Sequence, residues 1–194
     1  MKNKTYISSL PLQHPLLAAF ARDDIVSAGK DVRTGGMEWG EGVSQDHLVF
    51  MVKDGRIASV GHKPVLTVRA KELLLVPAGL SKRLRLEHGD ELQALWFHLP
   101  DVPAWQFLRG PQPLVLPAPE IDFLDALFTQ LLRETELSAS WRRMEIGRTE
   151  ASLLRQYLEQ YLRLPLNPIK LKLRQRLDAL WHRVNCDLAF SWSV

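Results

Sequence analysis

The sequence predicts an α+β fold: a small antiparallel β-barrel of jelly-roll type followed by a C-terminal group of about three helices. Three observations carry this expectation. From about Ile25 to Leu99, short apolar runs alternate with turn residues at roughly eight-to-twelve-residue spacing. A proline-rich stretch then interrupts the pattern. After Glu120 the apolar period lengthens to that of a helix.

Composition fits a globular domain. The 194 residues are 46% hydrophobic and 24% charged, so there is enough apolar surface to bury a core. The opening stretch is broken by Pro11, Gln13, His14 and Pro15, and nothing later approaches the ~18 consecutive apolar residues of a membrane span. A membrane partner is therefore not expected. The lone Cys186 cannot form an internal disulfide, which fits a cytoplasmic setting. Formal charge is +3, but six basic residues face two acidic ones from Arg163 onward, leaving 19 and 20 for the first 162. The body is neutral and the tail basic.

The elements follow in order. "HLVFMV" and "RIASV" flank Lys53-Asp54-Gly55-Arg56, and Asp-Gly between apolar runs is a strong hairpin signal. "PVLTV" and "ELLLV" follow, broken at Pro77-Ala78-Gly79. "RLRLE" alternates with period two, meets His88-Gly89-Asp90, and continues as "ELQALWFHL". Pro100 to Pro119 holds too many prolines for a central strand, and reads as a connector packing back through Trp105, Phe107 and Leu108. Ile121, Leu124, Phe128, Leu131 and Leu132 make one helical stripe. Ile146, Leu153, Leu154, Tyr157, Leu158 and Tyr161 make a second, longer one. Asn167-Pro168 then opens a third helix, striped by Leu173, Leu177, Leu180, Trp181, Val184 and Leu188. The expected boundaries are an N-terminal arm over 1–21, the barrel over 22–100, a connector over 101–119, a helical dimerisation region over 120–164 and a basic tail over 165–194.

The chemistry is sparse. A barrel metal site needs several convergent ligands, commonly two histidines at i, i+2 on one strand. No two of the six histidines are so spaced. Neither a nucleophile elbow nor a phosphate loop is present, and no carboxylate pair stands out. No catalytic residue, metal or cofactor is assigned, and enzyme activity is not expected. Trp39, His47, Phe50, Met51, Trp96 and His98 could line a ligand cavity in the barrel, core packing being the plainer role for each. The long stripe of Leu153, Leu154, Tyr157, Leu158 and Tyr161 suggests a two-fold homodimer, or else packs on its neighbouring helices. Lys172, Arg176 and Arg183 share one flank of the third helix, where they could touch phosphates without reading sequence or simply face solvent.

This order of parts resembles the AraC/XylS family of bacterial transcription regulators. "HLVFMVKDGRI", "AKELLLVPAGLSKRLRL" and "ELQALWFHLP" resemble barrel segments of that family, and "LRQRLDALWHRVNCDLAFSWSV" resembles the first helix of its DNA-binding domain. The resemblance implies a cupin-like effector-binding barrel, a dimerisation region, and promoter DNA contacted only through a C-terminal helix-turn-helix domain. On this reading Ser193-Val194 would begin the first helix-turn-helix, with the remainder outside this chain. Departures are informative. Lys71-Glu72 stands where the family often has Gly-Asp, and Lys82 where it often has histidine. A cavity-facing Lys82 would favour an anionic effector or an arm carboxylate; otherwise it would snorkel at the rim. The effector, small molecule or protein, is not specified by the resemblance. The alternative is a free-standing cupin enzyme, an isomerase or dioxygenase, with a helical tail.

Overall fold

The computed structural model describes residues 4–11, 13–14, 17, 25–40, 42–136 and 141–163, with isolated positions at 166, 176, 177, 180 and 184. Contacts divide the chain into two compact units, Met1–Arg155 and Gln156–Val194.

The first unit is built on nine strands among the described residues: β1 (Lys4–Ser9), β2 (Ser27–Thr34), β3 (Met37–Trp39), β4 (His47–Ser59), β5 (Leu66–Arg69), β6 (Glu72–Val76), β7 (Leu84–Leu86), β8 (Glu91–Leu99) and β9 (Leu114–Pro117). Every pairing is antiparallel. One layer runs β1-β2-β8-β4-β6-β9, while β3, β7 and β5 form a second layer on the far half of β4. The expected barrel is therefore open. Its layers are joined through the 13 residues of β4, and among the described residues β1 and β9 close no ladder with each other. The described part of the expected arm is itself a strand, β1.

The expected Lys53–Arg56 hairpin does not form. β4 runs straight through it, with a register shift between Val52 and Asp54. Gly55 has φ +87°, and a Cβ there would lie 1.9 Å from the Glu91 carbonyl oxygen. The glycine thus serves a bulge rather than a turn. Beyond that bend, residues 56–59 pair with β5 and, at Ala58 and Ser59, with β7. A Gly-rich signal marks positive φ, and a bulge needs positive φ as a hairpin turn does. Between β5 and β6, Lys71 holds a tight turn at φ 65°, a conformation costing about 1 kcal/mol for a residue with a side chain. This is the position where the resembled family often has glycine.

Period two assigns the faces. Leu48, Phe50 and Val52 of β4 point between the layers, joined by Leu74, Leu84 and Leu92 in one core cluster. Val49, Met51, Leu95 and Phe97 are equally buried but point the other way. That outer face is covered by α1 (Ile121–Glu136), whose Phe128 meets Phe97 edge to face at 6.0 Å. Trp105 and Leu108 of the connector are buried, Phe107 only half so. Its last part becomes β9, an edge strand, where proline is tolerated.

α2 (Trp141–Arg163) follows, and the second unit begins within it. Two helices are thus delineated among the described residues, rather than about three. The expected third, opened by Asn167-Pro168 and striped as far as Leu188, lies mostly outside them. In the second unit Arg163 pairs with Glu159 one turn earlier.

Candidate functional site

A cavity of about 220 Å³ lies between the layers of the first unit. Its apolar wall comes from β4 and β7 through Leu48, Phe50 and Leu84, and from β1 through Ile7. Trp39 of β3 and Trp96 of β8 add indole faces.

Backbone register explains the position of Trp96. It lies opposite Phe50 on β4 and Gly29 on β2. A Cβ on Gly29 would stand 2.4 Å from the indole, so only glycine leaves room for the ring to lie there. The indole N–H then donates to Asp31 Oδ1 at 3.1 Å, and His98 packs edge to face on the same ring at 5.6 Å. Asp31 and Arg33 are two apart on β2 and share the face of Gly29. The Arg33 guanidinium donates to Asp31 Oδ2 through Nε at 2.8 Å and Nη2 at 2.7 Å, and stacks 4.1 Å over Trp39. Ion pair and ring contact together hold a buried cation in the wall.

Lys82 lies across from this group at 2% exposure, so it is not the snorkelled rim lysine allowed by its sequence position. Its ammonium donates to Ser44 Oγ at 2.8 Å and stands 3.4 Å from His98 Nδ1.

Of the seven residues singled out for a cavity, Trp39, Phe50, Lys82, Trp96 and His98 line this one, whereas Met51, on the helix-covered face, and His47 do not. His47 is three residues from Phe50, an odd separation, so it faces away. It is fully buried there. Its Nδ1 accepts from the Ala78 N–H at 3.0 Å, and Nε2 stands 3.3 Å from Asp101, off the line of a hydrogen bond. Burial pushes the His47 imidazole below its ordinary pKa despite the opposing pull of Asp101. Asp101 in turn is held below the usual carboxylate range, chiefly by the Arg109 hydrogen bond. Asp31, Arg33 and Ser44 were missed by sequence reading. The readable signal was "KDVR", an acid and a base two apart on a strand whose parity is fixed by Gly29.

The other assigned sets are placed differently. Leu154, Leu158 and Tyr161 are already buried by the chain itself, Tyr157 is half-buried and Leu153 is 46% exposed. Arg176 is exposed, while Lys172 and Arg183 lie outside the described residues. Among the described residues, no three His, Cys, Asp or Glu side chains come together as a metal-ligand group. No described helix is long and apolar enough to cross a membrane.

No family model matches the sequence, and no curated protein matches it. Solved structures do resemble it. A cupin superfamily protein from Desulfitobacterium hafniense aligns with 52% of this chain and 82% of its own at 13% identity and a TM-score of 0.42. The EutQ protein of Clostridium difficile aligns with 50% of this chain and 69% of its own, at 15% identity and a TM-score of 0.38. The AraC-like transcriptional activator CuxR aligns with 69% of this chain and 50% of its own, at 14% identity and a TM-score of 0.48.

Proposed function

We propose that this chain is the effector-sensing and dimerisation region of a bacterial, cytoplasmic AraC-type transcription regulator, with no catalytic role of its own. One observation carries the reading: Ile7, from the edge strand β1, completes the wall of a cavity that also holds a buried lysine. Among the described residues, β1 has its ladder with β2 on one edge and none on the other. An occupant that touches Ile7 binds the docked arrangement of β1 better than the undocked one. Differential affinity of this kind is what an effector needs to shift a conformational equilibrium.

The same reading assigns promoter DNA to a helix-turn-helix domain C-terminal to this chain, with Lys172, Arg176 and Arg183 giving at most salt-sensitive phosphate contacts. It also assigns a homodimer. Because most of the long α2 stripe is already covered, the dimer contact falls on the outward side of α2 that carries Leu153.

The gene downstream of Val194 tests the class: two helix-turn-helix units are expected, and a stop codon directly after Val194 would overturn it. Sedimentation at tens of micromolar tests assembly. A dimer is expected, and a monomer would remove the dimerisation role. Near-stoichiometric iron, manganese, nickel or zinc in the purified chain would favour the cupin-enzyme alternative instead.

A further inference from the structure

We infer that the cavity takes a compact, uncharged aromatic molecule of roughly ten non-hydrogen atoms or fewer, laid against the indoles of Trp39 and Trp96. This rests on the effector-sensing reading and names the chemical class of the effector.

Size sets the first limit. At ~30 Å³ per water, 220 Å³ holds only about seven waters, room for a ring with a short substituent. A long acyl chain does not fit. The open part of the wall sets the second. Leu48, Phe50 and Leu84 are buried, whereas Trp39 and Trp96 keep accessible surface, so the indoles are what an occupant chiefly covers. Ring on ring, offset or edge to face, gains more than the covered area alone, and a saturated body does not share that gain.

Charge sets the third. The charged lining residues are Asp31, Arg33 and Lys82, and each already has partners within the protein. Asp31 accepts the Trp96 N–H on one oxygen and the Arg33 guanidinium on the other. Arg33 also stacks over Trp39. Lys82 donates to Ser44, stands against His98 and, like that histidine, is engaged further. A charged ligand would shed its water and then compete for hydrogen bonds already given. A polyhydroxylated one would lose water from its hydroxyls in the same way. The face of an aromatic ring makes no such demand. Its quadrupole is drawn to a neighbouring cation without displacing that cation's hydrogen bonds, and two of the lining residues are cations.

Calorimetric titration of the 194-residue chain with p-cresol and indole, against 4-methylcyclohexanol, benzoate and benzylamine, tests this directly. At least one of the first two is expected to bind about three-fold or more tightly than the saturated alcohol. It should also bind about ten-fold or more tightly than either charged ring. Trp39→Leu, which keeps an apolar wall but removes the ring, should lower that affinity about three-fold or more and leave the alcohol's little changed. The alcohol binding as tightly would overturn the aromatic class, and benzoate or benzylamine doing so would overturn the uncharged class. Either result leaves the sensing role standing. No binding by any of the five would overturn the class and remove the cavity's claim to sense small molecules. A folded Trp39→Leu chain that binds the aromatic ligand unchanged would overturn the indole contact. The comparison among ligands on the unsubstituted chain holds whether or not that variant folds.

Discussion

The two faces of the six-stranded layer place their buried ion pairs differently. On the outer face Asp125 of α1 reaches down to Lys30 of β2 and Lys53 of β4, the latter at 2.6 Å, while Thr129 accepts from Lys30 at 2.8 Å. One carboxylate spans two strands and ties the helix to both. On the inner face Asp31 is paired with Arg33 two residues along the same strand, and the space beside the pair is a cavity. Apolar packing follows the same division. Val49, Met51, Leu95 and Phe97 lie fully buried on the helix side. Trp96 and His98, their neighbours on β8, stay only partly buried on the cavity side. A single strand therefore serves as a packed floor on one side and a lined wall on the other, divided by side-chain parity alone.

That contrast is open to attack by substitution. Phe128→Ala strikes the packed side and should cost the most, about 3–5 kcal/mol, by emptying the site against Phe97. Chemical denaturation would read it, and a loss similar to that of a surface substitution would mean the helix is loosely docked.

Asp125→Ala comes next, at about 1–2 kcal/mol, because both lysines are partly exposed and solvent screens them. Burial by itself would raise the Asp125 carboxyl, but the hydrogen bonds from Lys30 and Lys53 outweigh it and hold the pKa below the ordinary value. A depressed carboxyl contributes fully above the unfolded value near 4, and that contribution is lost as pH falls through the folded one. The gap between wild type and Asp125→Ala in thermal melts should thus close in acid. A gap unchanged at pH 2.5 would show that the clamp is steric.

Trp96→Phe on the cavity side should cost least, about 1 kcal/mol, for the lost donor to Asp31. If it destabilised as much as Phe128→Ala, the two faces would be energetically alike and the division above would fail.

How much of this was visible in the sequence depends on which rule applied. The change from period two to a helical period after Glu120 placed the switch from strands to helices, since each period follows from backbone geometry, but β1 and β9 lay where an arm and a connector were expected. Asp54-Gly55 misled because a dipeptide reports a local dihedral, whereas hairpin and bulge differ in which distant strand arrives, here β8 at Glu91 and Leu92. His47 could have been set aside by counting, as its distance from Phe50 is odd. The burial of Lys82 could not have been seen, because it depends on Ser44, 38 residues away, and on His98, 16 away. Asp31 and Arg33 were visible as a same-face pair but carried no sign that a tryptophan 65 positions onward would join them.

The central place of β8 also has a consequence in time. It lies between β2 and β4, yet it is made more than thirty residues after β4 and almost sixty after β2. Until Leu99 has emerged during synthesis, β2 and β4 have no shared neighbour, and the run His47–Val52 has β6 on one edge but not β8 on the other. Assembly of this half of the chain is accordingly dominated by distant pairings, the kind that folds slowly and exposes strand edges while it waits. The strand that carries Trp96 and His98 into the cavity is thus also the one whose late arrival joins the sheet.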